Sequence, residues 1–189
     1  MKILAIDIGA GTQDILLFDS EKKTENCISL VLPTPSKFFT EKLKTIESHV
    51  YIHGDTIGGG SLGKAILRHI QKGYRVVMEE SAAYSIRNDL DEVKSMGIGV
   101  GKKPETNRFQ ELEIREVNLP LFEKFFSNFG EDLQVDVIAV AVQDHGVSPK
   151  GVSDRAFRFE NMERMFRKDN QPETLHFLEG SIPDYYLRM

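Results

Sequence analysis

A carboxylate at the end of an apolar strand, followed at once by a glycine turn, constrains this chain more than any other stretch. Ile3, Leu4, Ala5 and Ile6 read as a buried strand that Asp7 closes. The chain then turns through Gly9 and Gly11, and Ile15-Leu16-Leu17-Phe18 reads as the next strand. Glycine has no Cβ, so backbone N–H groups around it approach an anion closely. The hydroxyl of Thr12 adds a donor. Asp7 is placed to hold Mg2+ directly or through water, as that ion usually binds. A plain tight hairpin uses the same turn residues. An ordinary buried strand, however, carries Val or Ile where this one carries Asp7. The pattern predicts a phosphate turn made of Gly9, Ala10, Gly11 and Thr12, with Asp7 as metal ligand and catalytic carboxylate.

Composition narrows the class. The 189 residues allow one domain or two small ones, and 40% apolar content can bury a core. The net charge of −5 argues against a dominant nucleic-acid role, which wants a basic surface. Cys27 is the one cysteine, so neither an intrachain disulfide nor a cysteine metal cluster can form. The apolar run at the N-terminus is broken by Asp7, too early for a signal peptide or membrane span. A cytoplasmic protein is expected.

Along the chain, strands are expected at Lys2 to Ile8, Asp14 to Asp19 and Asn26 to Leu32. A helix capped by Ser36 and carrying Phe39, Leu43, Ile46 and Val50 follows, then a short strand at Val50 to Ile52. A helix with Leu62, Ala65, Ile66 and Ile70 on one face is expected, with Ser61 as its N-cap and Gly73 stopping it. Further strands are predicted at Tyr74 to Met78, Phe109 to Val117 and Val135 to Val142, and short helices at Ser81 to Ile86 and Asp89 to Met96. Gly97 to Gly101 reads as loop. Leu121, Phe122, Phe125, Phe126 and Phe129 are expected to form the buried face of a helix ending at Gly130. Val135 to Val142 is apolar without alternation apart from Asp136, which suits a strand covered on both faces. The order predicts an α/β domain with a mixed sheet of about five strands and flanking helices. It spans residues 1–150, with residues 151–189 as a C-terminal extension and a helix around Asn161 to Arg167.

Ile3 to Thr12 resembles the first phosphate hairpin of the actin-like ATPase superfamily. The resemblance implies a ribonuclease-H-like fold. It also implies ATP as ligand, its phosphates on Gly9 to Thr12 and Mg2+ facing Asp7. His53 to Gly60, Ser81-Ala82-Ala83-Tyr84, Asn88-Asp89-Leu90, Val142 to Gly146 and Arg188-Met189 resemble a narrower actin-like family, sometimes labelled pyruvate formate-lyase activating enzyme-like. That label does not carry over as an activity, because a radical enzyme of that type needs three closely spaced cysteines for its iron–sulfur cluster and this chain has Cys27 alone. The resemblance further implies a second domain, or a second chain, that supplies another hairpin and the adenosine pocket.

Two other places carry candidate chemistry. Gly58-Gly59-Gly60-Ser61 lies between a strand and a helix, where backbone amides and a helix N-terminus make an anion site. Three glycines in a row cost entropy on ordering, so close approach of a ligand or of neighbouring backbone explains them better than a turn does. The near-match to a P-loop at Gly58 to Lys64 fails, since Ala65 replaces the Ser or Thr that would hold Mg2+. Asp144 and His145 follow the Val135 to Val142 strand. If that strand runs parallel beside the first, Asp144 shares an edge with Asp7. Asp144 would then be a second carboxylate or a base, and His145 a proton carrier. Polar turn residues before a glycine are the plain alternative.

Three functions compete on these residues. A nucleotide-binding protein would use Asp7, Gly9 to Thr12, Asp144 and His145 for phosphoryl transfer. A ribonuclease-H-like nuclease would hold two metals between Asp7 and Asp144. A non-catalytic scaffold or half of a split assembly would keep only the fold.

Overall fold

The computed structural model describes residues 1–144, 146–169, 171 and 176–188. The chain forms two compact units, Met1–Val142 and Gln143–Met189. Among the described residues no helix is long and apolar enough to cross a membrane.

The first unit opens with β1 (Lys2–Ile8), β2 (Thr12–Asp19) and β3 (Ile28–Pro33), followed by α1 (Pro35–Lys44), β4 (His49–Gly54) and α2 (Gly60–Gln71). Then come β5 (Val76–Met78), α3 (Glu80–Ala83), α4 (Leu90–Ser95), β6 (Gly99–Val100), β7 (Phe109–Ile114), α5 (Leu119–Ser127) and β8 (Val137–Val142). The class is α/β as expected. The strands build two four-stranded sheets, ordered β3-β2-β1-β8 and β6-β5-β4-β7, where the sequence suggested one sheet of about five. Short apolar strands look alike in sequence whichever sheet they join.

The first sheet is mixed. β1 pairs antiparallel with β2, β2 antiparallel with β3, and β1 parallel with β8 in the register Ile3↔Val137 to Ile8↔Val142. The condition set for the β8 strand therefore holds: it lies beside β1 and runs the same way. Leu4, Ile6, Ile8, Ile15 and Leu17 alternate onto one face, where Phe122 and Phe126 of α5 cover them. Asp136 fastens the start of β8, its carboxylate accepting from Lys2 N–H at 2.7 Å and its own N–H donating to Lys2 O at 2.9 Å.

The second sheet is wholly parallel, and its helices bury a separate core of Phe39, Leu43, Val50, Ile52, Leu62, Ile66, Met78 and Ile114. In chain order this second body lies between β3 and α5, so it is an insertion within the first sheet's connectivity. β6 falls in the glycine stretch expected to be loop, where Val77 pairs with Gly99 and Met78 with Val100.

Two burial expectations fail. β8 is not covered on both faces, for Val137, Ile138 and Val140 are 47%, 44% and 40% exposed at the edge of their sheet. On α5 only Phe122 and Phe126 are buried, while Leu121 is 46% and Phe129 70% exposed. The four-residue spacing of Phe122 and Phe126 faces the sheet; Leu121 lies off that stripe, and Phe129 falls beyond the helix, which ends at Ser127.

The second unit is built on α6 (Asp154–Asp169), longer than the helix the sequence suggested. Phe157 packs edge-on against Tyr185 at 5.6 Å, and Tyr185 against Tyr186 at 4.6 Å. Burial, with smaller help from Tyr185, pushes the Tyr186 phenol up to about 12.

Candidate functional site

The turn between β1 and β2 is tight. Gly9 N–H donates to Thr12 O at 2.9 Å, and a Cβ on Gly9 would stand 3.2 Å from that oxygen. One amide of the predicted cradle is thus closed by the turn itself. Among the described residues, no protein acceptor meets the N–H of Ala10 or Gly11, and Ala10 and Thr12 are exposed. Thr34 N–H donates to Gly11 O at 3.4 Å, which brings the first turn of α1 to the hairpin. Lys37 follows from this placement. Its Nζ stands 3.5 Å from the point a Cβ on Gly11 would occupy, so an ammonium stands beside Gly11.

Asp7 sits on the outer face of the sheet, exposed, and directly opposite the exposed Asp14 in the β1–β2 register. Like charges on directly opposed residues repel. The two carboxylates border a concavity of about 420 Å³ floored by Ala5, Ser29, Ala139 and Ala141. Among the described residues no three His, Cys, Asp or Glu side chains are arranged to hold a metal. Mg2+ does not require three, since it is commonly held by one or two carboxylates with water and phosphate completing its shell. Asp7 and Asp14 fit that donor set.

On the other face lies an apolar pocket of about 250 Å³ walled by Leu32, Phe38, Phe122 and Phe125, with Gln13, Arg115, Glu116 and Asn118 as its polar members. Gln13 directly follows the turn, and its Nε2 donates to Pro33 O at 3.0 Å.

The second glycine cluster is packed from within. A Cβ on Gly59 would come to 1.8 Å from Ser85 O, so neighbouring backbone accounts for that glycine. Gly58 N–H donates to Glu116 Oε2 at 3.3 Å and Ile57 N–H to Ser85 Oγ at 2.8 Å. α2 begins at Gly60 with Gly59 in the cap position, so Ser61, expected as the N-cap, lies inside the first turn. Ser36 Oγ accepts from Leu62 N–H at 3.3 Å and donates to Gly59 O at 3.0 Å, which ties the starts of α1 and α2 together.

Asp144 belongs to the second unit. Its Oδ1 accepts from Gly146 N–H at 2.8 Å, and its Oδ2 from Leu187 N–H at 2.8 Å and Arg188 N–H at 2.6 Å. The carboxylate clamps two distant backbone segments, a role that sequence spacing did not reveal. His145 lies outside the described residues. Replacing Asp144 by alanine strands three amides and is expected to cost this unit roughly 2–4 kcal/mol. Limited proteolysis should then cut 143–188 faster than in the wild type. Unchanged cleavage would show that the clamp contributes little.

Lys37 and Asp14 were missed by sequence reasoning. Asp14 could have been found, since a turn centred between Ala10 and Gly11 sets it opposite Asp7. Lys37 could not, because its place depends on where α1 docks.

A protein-family model described as "Putative pyruvate format-lyase activating enzyme (DUF1786)" matches residues 57–189. No curated protein and no solved structure matches the chain.

Proposed function

The chain belongs to the DUF1786 family, and we propose that it binds the phosphates of a nucleotide, ATP, at the β1–β2 turn with Mg2+ at Asp7. The observation that carries this reading is Lys37 Nζ over Gly11, beside the N–H groups of Ala10 and Gly11 that no protein acceptor meets among the described residues. An ammonium and two amides without a protein acceptor are donors of the kind an oxyanion needs. The resemblance of Ile3 to Thr12 to the actin-like phosphate hairpin supports it, as does a mixed sheet whose fourth strand runs parallel to β1.

In this reading Gly11 admits the phosphate, Lys37 neutralises it and Thr12 supplies a hydroxyl. Asp7 and Asp14 hold the ion, which when bound shields phosphate charge. The apolar pocket beside Gln13 takes the base, the kind of concavity that ligands choose. Asp144 is proposed as a structural clamp rather than a base, because its oxygens already serve three amides. The family's description names an activating enzyme. With Cys27 the one cysteine of this sequence, a three-cysteine cluster is not what we propose.

Calorimetry with ATP and Mg2+ tests the reading. The wild type should bind, and Asp7→Ala and Lys37→Ala should each weaken binding by about tenfold or more, the scale of one lost charge-assisted contact. Lys37→Ala should weaken binding without Mg2+ as well, and Asp7→Ala should not. Absence of heat with the wild type would discard the proposal for this chain.

A further inference from the structure

α1 and α2 pack through Phe39, Leu43, Leu62, Ala65 and Ile66, an apolar seam that needs no charge. Yet around this seam the two helices carry Lys37, Lys42, Lys44, Lys64 and Arg68 against Glu41 as their one acid, in a chain whose net charge is −5. Lys37, Lys44, Lys64 and Arg68 converge on a concavity of about 520 Å³ between the helices. Glu41 takes only Lys44, at 2.6 Å. Among the described residues Lys37, Lys64 and Arg68 have no carboxylate partner.

Helix dipoles make the arrangement costlier. The starts of α1 and α2 meet, Ser36 bridging to Gly59 and Thr40 Oγ1 donating to Ser61 Oγ at 3.0 Å. Neither helix has an acid in its first turn, where acids are favoured, and Lys37 sits there instead. Three cations with no carboxylate partner therefore line one space near the starts of both helices. Ser61 Oγ accepts from Thr40. Because Ser36 Oγ donates to Gly59 O, the Ser61 proton is directed at Ser36 Oγ at 3.4 Å. The hydroxyls are taken up in joining the helices, and the cations are what the groove offers a ligand.

We propose that the α1–α2 groove is a binding site for a small polyanion bearing clustered phosphate groups, held by Lys37, Lys64 and Arg68. The site is separate from the β1–β2 turn, with Lys37 at the border of both, and it does not rest on the nucleotide reading.

The test is a titration of the chain with inorganic triphosphate, without Mg2+ and at low salt, followed through backbone amide shifts. Amides of residues 61–68 should move. The charge-reversal pair Lys64→Glu/Arg68→Glu should weaken their response by about thirtyfold, and Lys64→Gln/Arg68→Gln by about tenfold. Amide spectra of both variants should otherwise overlay the wild type, which separates lost binding from lost folding. The control pair Lys72→Glu/Lys102→Glu, away from the groove, should bind as the wild type does. Shifts confined to residues 9–12 would overturn the groove while leaving the turn reading intact. Equal weakening in the control pair would reduce the effect to general surface charge and also overturn it.

Discussion

Gly59→Ala is expected to destabilise the first unit by more than about 3 kcal/mol, the range of severe overpacking against backbone. Gly59 has φ −61° and ψ −44°, a conformation alanine adopts readily, so the residue's own preference is no obstacle. The obstacle is Ser85, whose carbonyl oxygen lies 1.8 Å and carbonyl carbon 3.0 Å from the new methyl. Moving Ser85 breaks its hydroxyl's bond from Ile57 N–H, which anchors the loop that starts α2, and its own N–H bond to Ala82 O, which closes the turn after α3. Gly73→Ala is the contrast. It has φ +91° and nothing within 4 Å of a new Cβ, so only left-handed strain applies, about 1–2 kcal/mol. Urea unfolding followed by circular dichroism ranks the two. A Gly59→Ala protein as stable as Gly73→Ala would contradict the packing described for α2.

The glycine triplet shows where sequence reading runs out. Its excess of glycine is legible, and so are the two explanations, a ligand or a neighbouring backbone. Choosing between them needs Ser85, distant in sequence and placed by α3. Local features transferred well: the β1–β2 hairpin, the short helix expected over Asp89 to Met96, formed at Leu90–Ser95, and the turn after α2 at Gly73. The parallel pairing of β8 with β1 was legible as a condition, met in the register from Ile3 to Ile8. The split into two sheets was not legible, because β4 and β8 carry the same kind of apolar run and periodicity does not say which partner a strand chooses. The site divides the same way. Asp7 and the glycine turn are contiguous and readable. Lys37 reaches Gly11 only because α1 packs on the second sheet while the hairpin belongs to the first.

Phe126→Ala should cost about 3–5 kcal/mol, the usual loss for a fully buried phenylalanine. Phe126 is 0% exposed within the core of the first sheet, where truncation leaves Leu4, Ile6 and Ile15 facing a void. Phe129, three residues on along the chain and 70% exposed, should tolerate alanine within about 0.5 kcal/mol. This pair also probes how the proposed site is held together. Gly11 rides on the sheet that Phe126 supports, and Lys37 rides on the other body, so loosening either core separates the ammonium from the open amides. In mild urea, Phe126→Ala should therefore lose ATP affinity before the second sheet's core unfolds, while Phe129→Ala keeps it. If Phe126→Ala and Phe129→Ala unfold at the same urea concentration, α5 does not cover the first sheet as described, and the turn cannot depend on it.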